Sequence, residues 1–267
     1  MPRCWIEGAA VLGPGLPGWP ASRAILTGEA PWLEAPTLVP PPALLAATER
    51  RRASLVVRLA LAAAAEAIAA AGREAAALDS LFASSNGDGG VVGAILEALA
   101  TPGGDVSPTQ FHNSVHNAAA GYWSIGAGAR LGSVSIGCHD DTWPAGLLQG
   151  VAQVAAWGRP LLLCGYDAPL PEPLAAVRPT AIPFATALVL APEPGPRSLA
   201  AIEVAHGGPL PPEVQPGPLR RALEGANPIA RALPLLEALA AGRPARIGWP
   251  LLDGLAITLR LEPCHAA

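Results

Sequence analysis

The spacing of hydrophobic positions changes repeatedly along the chain and predicts alternating strands and helices. Short, nearly continuous or alternating apolar runs bounded by Gly, Pro or polar residues are typical of strands. Such runs occupy residues 4–12, 78–84, 133–137, 160–165, 184–190, 199–204 and 255–261. The first of these predicted strands is followed directly by a Pro/Gly-rich segment, residues 13–42, which we expect to be mostly loop.

Longer segments carry apolar residues at helical spacing. They predict helices at residues 44–71, 90–100, 117–129, 142–157 and 229–241, with a short one near 22–27. Gly72 marks the end of the first long helix. The order strand 133–137, helix 142–157, strand 160–165 predicts a parallel crossover. The chain is therefore expected to form a layered α/β domain, less regular beyond Tyr166, with a proline-rich connector at residues 209–218.

Composition excludes several classes of protein. Of 267 residues, 51% are hydrophobic and only 14% are charged, which argues against a disordered chain. The formal net charge is −4 and every basic side chain is arginine, so a nucleic-acid partner is not expected. The most apolar run, residues 53–71, contains Arg58 and Glu66, and therefore predicts a helix of a folded domain and not a membrane span.

The cysteines give no sign of a metal or disulfide framework. They stand singly at Cys4, Cys138, Cys164 and Cys264, without a CxxC pair. Single cysteines of this kind fit a reducing compartment, and Glu7 falls where the apolar stretch of a signal peptide would lie. We therefore expect a cytoplasmic protein.

A block of dense polar and aromatic residues, 107–125, stands out in this Ala/Leu/Pro-rich chain. It resembles the segment before the nucleophile strand of β-ketoacyl synthases, where an Asn and an Ala-Gly pair (here Asn117 to Gly121) open a buried helix. Residues 132–136, 145–148, 161–165 and 178–190, the last beginning with Arg178-Pro179, resemble later segments of that family in the same order. Residues 49–54, 84–88 and 107–124 also resemble the short chain length factors found with aryl polyene pathways.

The resemblance covers most of residues 3–205 and implies a fold. We expect one half of the thiolase-like layered α/β/α arrangement, a mixed sheet with helices on its faces, over residues 1–205. Residues 206–267 are expected to form an irregular α/β extension packed on it. The two histidines that active ketosynthases take from a second half, one in a His-Gly-Thr-Gly-Thr motif, have no counterpart here, and the chain ends about where that half would begin.

The resemblance also implies that the nucleophile is missing. Active family members place a cysteine at the start of the helix after the 132–136 strand, where this chain has Asp140 or Asp141, and Cys138 lies two or three residues early. A non-catalytic subunit is therefore expected, pairing with an active ketosynthase, served by an acyl carrier protein and using no cofactor. We further expect Asp140 or Asp141 to cap the helix and Cys138 to be buried.

Two other functions remain open from the sequence. One is an independent thiol acyltransferase or hydrolase that uses Cys138 with His139 or His116. The other is a docking scaffold for acyl carrier proteins, which are acidic, through the basic cluster of Arg50, Arg51 and Arg52. A solvated helix face is the ordinary role of such a cluster.

The block at 111–123 supplies the candidate interface. His112 and His116 are four residues apart and can share a helix face as metal ligands, but no third ligand is indicated, so a structural role is favoured. Tyr and Trp offer large contact areas with a polar handle. The predicted interface residues are Phe111, His112, Asn113, His116, Asn117, Tyr122 and Trp123.

Two glycine-rich segments could in principle hold phosphate. Gly13 to Gly18 matches GxGxxG, but Pro14 and Pro17 oppose the helix start that a dinucleotide site needs, so a plain loop is predicted. Residues 84–90 lack the lysine and the spacing of a P-loop, and are predicted to be a turn that caps the next helix.

Overall fold

The computed structural model describes residues 1–178, 180–212, 215–251 and 255–264. Within them the strands are β1 (Arg3–Gly13), β2 (Leu16–Pro17), β3 (Asp79–Ala83), β4 (Ser133–Ile136), β5 (Leu161–Asp167), β6 (Phe184–Ala191), β7 (Ala200–His206), β8 (Ala245–Pro250) and β9 (Ala256–Pro263). The helices are α1 (Trp19–Thr27), α2 (Ala47–Arg52), α3 (Leu55–Ala71), α4 (Gly89–Ala100), α5 (Pro108–Asn113), α6 (Ala118–Ala127), α7 (Thr142–Trp157), α8 (Leu174–Val177), α9 (Pro218–Glu224) and α10 (Leu233–Ala241).

All the strands join one mixed sheet. Its order is β4-β3-β5-β6-β1-β7-β9-β8, with β2 paired to β1 as a short hairpin. Strand β3 runs parallel to both β4 and β5, and the other neighbours are antiparallel. The predicted parallel unit is therefore confirmed, with β4 and β5 on either side of β3.

Helices cover both faces of the sheet because the central strands are apolar on both faces. Alternate residues of β5 illustrate this: Leu162 and Cys164 pack in the cluster around α3 and α6, whereas Leu161 and Leu163 pack in the cluster around α7. Helix α3 contacts β1, β5 and β6, and α7 contacts the opposite face. The result is a layered α/β/α arrangement.

The C-terminal residues continue the same sheet. Strand β9 pairs with β7, and β8 forms the end of the sheet beyond β9. Helix α10 shares the hydrophobic cluster of α7. The strand predicted at 255–261 is confirmed as β9, whereas α9 and β8 were not predicted. Pro179 and, in the predicted connector and extension, residues 213, 214, 252–254 and 265–267 lie outside the described residues.

Several predicted element boundaries are wrong for local reasons. The helix predicted at 44–71 is two helices, α2 and α3, because Ser54 is extended and its side chain accepts a hydrogen bond from the Val57 amide, which starts a new helix. Gly72 ends α3 in the left-handed conformation, as predicted. Helix α5 lies between the helices predicted at 90–100 and 117–129, where no helix was predicted, and the helix predicted at 229–241 begins with a 3-10 turn at Pro228–Ala232.

Within the described ranges, no helix combines the length and the apolar character needed to cross a membrane.

Candidate functional site at the start of helix α7

The turn between β4 and α7 occupies the position at which the sequence places the missing nucleophile. His139 adopts a φ of 53°, a left-handed conformation that is uncommon for residues other than glycine. The Thr142 hydroxyl donates to the His139 carbonyl (2.7 Å) and accepts from the Cys138 amide (2.9 Å). The hydroxyl at the first helical residue therefore holds this tight turn together.

The two carboxylates of the turn bind arginines. Arg231, from the 3-10 turn before α10, donates to the Asp141 carboxylate (2.5 Å) and to the Asp140 carbonyl (2.8 Å). The Arg178 guanidinium lies 2.9 Å from the Asp140 carboxylate as an ion pair, without the alignment of a hydrogen bond. Although Asp141 is at the N-cap position of α7, its side chain makes no capping bond. The predicted helix cap by Asp140 or Asp141 is therefore wrong, because both side chains face arginines from later in the chain.

Arg178 links the turn to the neighbouring loop after β3. Its Nε donates to the Asn86 side-chain oxygen (2.6 Å), and its Nη1 lies 2.7 Å from His139 Nε2. The other nitrogen of His139 lies 3.4 Å from the Asp140 carboxylate. The His139 ring, Arg178 and Asp140 thus form a closed polar cluster, with Asp140 59% exposed.

Cys138 is exposed, so the prediction that it is buried is wrong. The four-residue strand β4 is an edge strand and leaves the turn that follows it open to solvent. Among the described residues, no hydrogen bond joins the thiol to His139 or His116. His116 instead bonds the Ser84 carbonyl through Nε2 (2.9 Å). The thiol-imidazole pair of a nucleophilic site is absent from this arrangement.

The glycine-rich loop after β3 holds a buried carboxylate of its own chain. Asp167 accepts from the Ser84 hydroxyl (2.7 Å) and from the amides of Ser85 and Asn86 (3.1 Å each). Asp167 is fully buried, and burial raises its pKa although these hydrogen bonds act in the opposite direction. Asp88 caps α4 by accepting from the Val91 amide, as predicted for this turn. The amides that would cradle a phosphate are therefore already used.

The other glycine-rich segment is also closed to phosphate, though not as a plain loop. Residues 13–18 form the tight hairpin between β1 and β2, and α1 begins directly after it at Trp19, contrary to the expectation. The Trp19 amide at this helix start donates to the Glu66 carboxylate (2.5 Å). An internal carboxylate thus takes the place of a ligand anion.

The predicted interface block divides into buried and exposed members. Asn113, Tyr122 and Trp123 are buried in the chain's own core. The Tyr122 hydroxyl donates to the Asn113 side chain, which donates to the Arg52 carbonyl, and Trp123 packs on Phe82 with ring centroids 6.4 Å apart. The prediction that these three residues face a partner is therefore wrong, because a partner cannot reach side chains that are buried inside this chain.

The other predicted interface residues lie at the surface. Phe111 is 70% exposed, and His112, His116 and Asn117 are exposed as well. His112 stacks edge-on against Tyr122, while His116 contacts the loop after β3, so the two imidazoles are engaged separately. No group of metal-ligating side chains is found in the described part of the chain.

The basic cluster of α2 is exposed. Arg50 donates to the Leu45 carbonyl and Arg52 pairs with Glu49 at 3.3 Å, whereas Arg51 has no such contact among the described residues. Sequence reasoning did not find Arg178, Arg231, Asn86 or Asp167 as members of the site. No local sequence pattern indicates these residues, because each contacts residues that are distant in the sequence and come close only in the folded chain.

Comparisons with known proteins agree with this architecture. The sequence model of the β-ketoacyl synthase N-terminal domain matches residues 27–215. No curated protein sequence matches the chain.

Three solved structures have similar folds. The ketosynthase ApeO in complex with its chain length factor ApeC from Xenorhabdus doucetiae matches with a TM-score of 0.71 and 21% identity over 97% of this chain and 99% of that chain. The ishigamide ketosynthase/chain length factor matches with a TM-score of 0.71 and 14% identity, over 98% and 99%. The AntDE:AntF complex, a type II polyketide acyl carrier protein with its ketosynthase, gives 0.76 and 11%, over 98% and 99%.

These likenesses confirm the expected thiolase-like layered fold. The family match extends over well more than half of the residues, including the strands and helices that form the turn at Cys138 to Asp141. The chain therefore belongs to the β-ketoacyl synthase N-terminal domain family.

Proposed function

We propose that the chain is a non-catalytic chain length factor that pairs with an active ketosynthase in fatty acid or polyketide-type chain elongation, of the aryl polyene class. The proposal rests on the residues at the start of α7. At the position where the family resemblance places a nucleophile, the chain has Asp140 and Asp141, and arginines pair with both. A carboxylate held in this way offers no thiolate for acyl transfer.

A subunit without a nucleophile can still control the product through its shape. The length of a growing acyl chain is limited where the wall of its tunnel allows no further two-carbon unit to pack without a clash. Such a subunit needs an interface with the active ketosynthase and a fixed surface. The layered fold, in which Thr142, Arg231 and Arg178 bond the turn before α7, supplies the second of these requirements.

Strand β4 supplies an edge for the interface. The Gly132 and Ile136 carbonyls accept hydrogen bonds from the amides of Ser80 and Ser84 on the β3 side. Because backbone groups alternate along a strand, Ser133 and Ser135 direct theirs to the free edge. In the described chain β4 has no neighbour on that side. An unpaired edge is a template for a strand from another subunit.

Exposed apolar side chains come from the segments next to this edge. Phe111 is on α5, Val115 lies between α5 and α6, Ile125 is on α6 and Leu131 lies two residues before β4. All four are exposed, with Phe111 and Ile125 at 70% and 67%. Large exposed apolar side chains near a free edge are typical of a protein–protein interface.

The test uses the backbone of Ser135. Ser135→Pro removes an amide on the free edge and none on the β3 side, so the isolated chain is expected to tolerate it. Ser135→Ala keeps the amide and is the matched control. We expect Ser135→Pro to weaken co-purification with the cognate ketosynthase at least tenfold, while Ser135→Ala leaves it unchanged.

A second variant separates the interface from folding. Phe111→Asp places a charge on an exposed side chain and is expected to reduce ketosynthase binding with no loss in the urea midpoint of the chain, measured at a concentration too low for aggregation. We also expect the chain alone to aggregate and the ketosynthase to rescue it. A chain that is a well-behaved monomer in light scattering and does not bind the ketosynthase would contradict the proposal.

An acyl carrier protein is the second expected partner, at the exposed arginines of α2. Arg51→Glu is expected to weaken carrier binding in a salt-dependent way, because exposed charges act over roughly 10 Å at moderate ionic strength. Arg23→Glu, at an exposed position on α1, makes the same change in net charge and is the control for charge alone. Equal binding by wild type and Arg51→Glu at low salt would exclude α2 as the docking surface.

The exposure of Cys138 favours one alternative function, an independent thiol acyltransferase or hydrolase. His139 would have to leave Arg178 and Asp140, or His116 would have to leave the Ser84 carbonyl, to activate the thiol. Covalent labelling of Cys138 by an acyl substrate distinguishes the two functions.

A further inference from the structure

The opposite end of the sheet from β4 contains a cavity that the proposed function does not use. Its volume is about 630 Å³, within the range of small-molecule sites. It lies between β8, helices α9 and α10, and the segment at 210–212. This end of the sheet belongs to the C-terminal residues beyond the family match.

The cavity depends on a glycine of β8. A Cβ at Gly248 would lie 2.5 Å from the Pro211 ring and 2.7 Å from the Leu210 side chain. Only glycine therefore lets the 210–212 segment close over the strand. On the other side, the buried Trp249 is fixed by its indole, which donates to the Arg231 carbonyl (2.8 Å). The wall is thus built from packed residues.

The lining combines an apolar body with an excess of positive charge. Apolar side chains come from every side, and four arginines line the cavity against two glutamates. The apolar members include Leu26, Leu210, Pro234, Ala238, Ile247 and Trp249. A ligand that matches such a site has an apolar chain and an anionic head.

Two of the arginines are already engaged. Arg220 holds Glu224 through two hydrogen bonds, and Arg231 holds Asp141 and the Pro250 carbonyl. Arg243 and Arg246 are exposed at the cavity wall, and among the described residues neither has an ion-pair partner. The remaining acid, Glu237, is half-buried, and burial raises its pKa to about 7, so it opposes an anion only weakly near neutral pH.

We propose that this cavity binds a small amphipathic carboxylate, an acyl chain whose carboxylate pairs with Arg243 and Arg246 while the chain packs against the apolar lining. Guanidinium groups bind carboxylates through two parallel hydrogen bonds, which gives a preference for the anion over a neutral amide of equal size. The site lies away from the free edge of β4 and does not rest on the pairing with a ketosynthase.

The test measures binding of octanoate, octanamide and octylamine to the full chain, or to its ketosynthase complex, by isothermal titration calorimetry. Octanoate is expected to bind at one site, at least tenfold more tightly than octanamide. Octylamine is expected not to bind. The double variant Arg243→Gln/Arg246→Gln is expected to lose this preference, and Arg130→Gln, an exposed arginine beside β4, is the charge control.

A filling variant tests the position of the site. Ala238→Phe places a ring in the cavity and is expected to abolish octanoate binding, whereas Ala241→Phe, at the end of the same helix and outside the lining, is the matched control. Absence of saturable octanoate binding, equal binding of octanoate and octanamide, or unchanged binding by both the double variant and Ala238→Phe would each overturn the proposal. Ketosynthase co-purification, measured in parallel, reports separately on the proposed function.

Discussion

The loops after the parallel strands β3 and β4 lie side by side and both involve carboxylates, yet the two carboxylate groups have different roles. Asp167, at the end of β5, is fully buried and accepts hydrogen bonds from a hydroxyl and two backbone amides of the β3 loop. In the β4 loop, Asp140 is largely exposed and pairs with an arginine. The buried Asp167 carboxylate holds the β3 loop through hydrogen bonds. The exposed Asp140 carboxylate forms an ion pair before α7 and, among the described residues, accepts no backbone amide.

The two carboxylates therefore differ in how strongly the folded state depends on them. Asp140, whose side chain is 59% exposed, can change residue type at little cost to folding. The β3 loop cannot, since its amides and the Ser84 hydroxyl would lose their acceptor. The contrast is consistent with a subunit in which the fold is retained while the nucleophile is absent.

The largest effect is expected from Asp167→Ala. It leaves the Ser84 hydroxyl and two amides without their buried acceptor, so the free energy of unfolding should fall by about 3 kcal/mol or more. Asp140→Ala, which removes an exposed ion pair, should lower it by less than about 1 kcal/mol. Urea denaturation of both variants, in the ketosynthase complex if the chain alone aggregates, measures the difference. Equal losses would remove the distinction between the two loops.

An intermediate effect is expected from Arg231→Gln. Arg231 joins the β4 loop to the C-terminal strands through the Asp141 carboxylate and the carbonyls of Asp140 and Pro250. Losing a half-buried ion pair with these bonds should cost about 1–2 kcal/mol in thermal unfolding. Arg246→Gln, an exposed arginine nearby, is the control. If Arg231→Gln is as stable as that control, the β4 loop does not depend on the C-terminal residues.

Sequence patterns predicted most of the sheet and the central helix. The runs at 133–137 and 160–165 and the helical spacing of 142–157 correspond to β4, β5 and α7. Strand β5 and helix α7 bury apolar side chains, and in β4 the partly buried Val134 and Ile136 alternate with serines. The Ser54 cap inside 44–71 was missed because helix-forming residues surround it and no Gly or Pro marks the break between α2 and α3. Short elements with mixed composition, such as α5 and β8, gave no clear period.

The site was predicted in position but not in its bonding. The family resemblance placed Asp140 and Asp141 at the start of α7, which is where they lie. Their partners, Arg178 and Arg231, are distant in sequence, and nothing local indicates such pairs. For the same reason Trp123, whose aromatic character suggested an interface, turned out to pack on Phe82 in the core.

A smaller effect concerns pH and Glu237, which is partly buried without the amide donors that Asp167 has. Burial raises its pKa from 4.5 to about 7, with Arg220 acting against the shift and Glu224 in its favour. Arg231, Arg243 and Arg246 line the same cavity. The contribution of Glu237 to stability is therefore fully present below pH 4.5 and is lost as the pH rises through about 7.

The variant Glu237→Gln tests this sign. Relative to it, the wild-type chain should lose about 1 kcal/mol of stability between pH 5 and pH 8, a figure kept small because solvent screens a partly exposed charge. Denaturation at the two pH values measures it. A wild-type chain that gains stability over this range relative to Glu237→Gln would show that the arginines, and not burial, control the carboxyl group.

The smallest effect is expected from Cys138→Ala. The thiol is exposed, and the hydrogen bond of Cys138 to Thr142 comes from the backbone amide, which alanine keeps. Stability should therefore change by no more than about 0.5 kcal/mol. Product output from the pathway should stay within a few-fold of the wild type. A large loss of product at unchanged stability would indicate that the thiol takes part in catalysis.

The most direct test of the non-catalytic assignment is intact-protein mass spectrometry of the reconstituted complex. This chain and its ketosynthase are incubated with an acyl-loaded acyl carrier protein, and the mass of each subunit is recorded before turnover is complete. We expect an acyl adduct on the ketosynthase and an unmodified mass for this chain, in wild type and Cys138→Ala alike. An acyl adduct on this chain that disappears in Cys138→Ala would contradict the non-catalytic assignment.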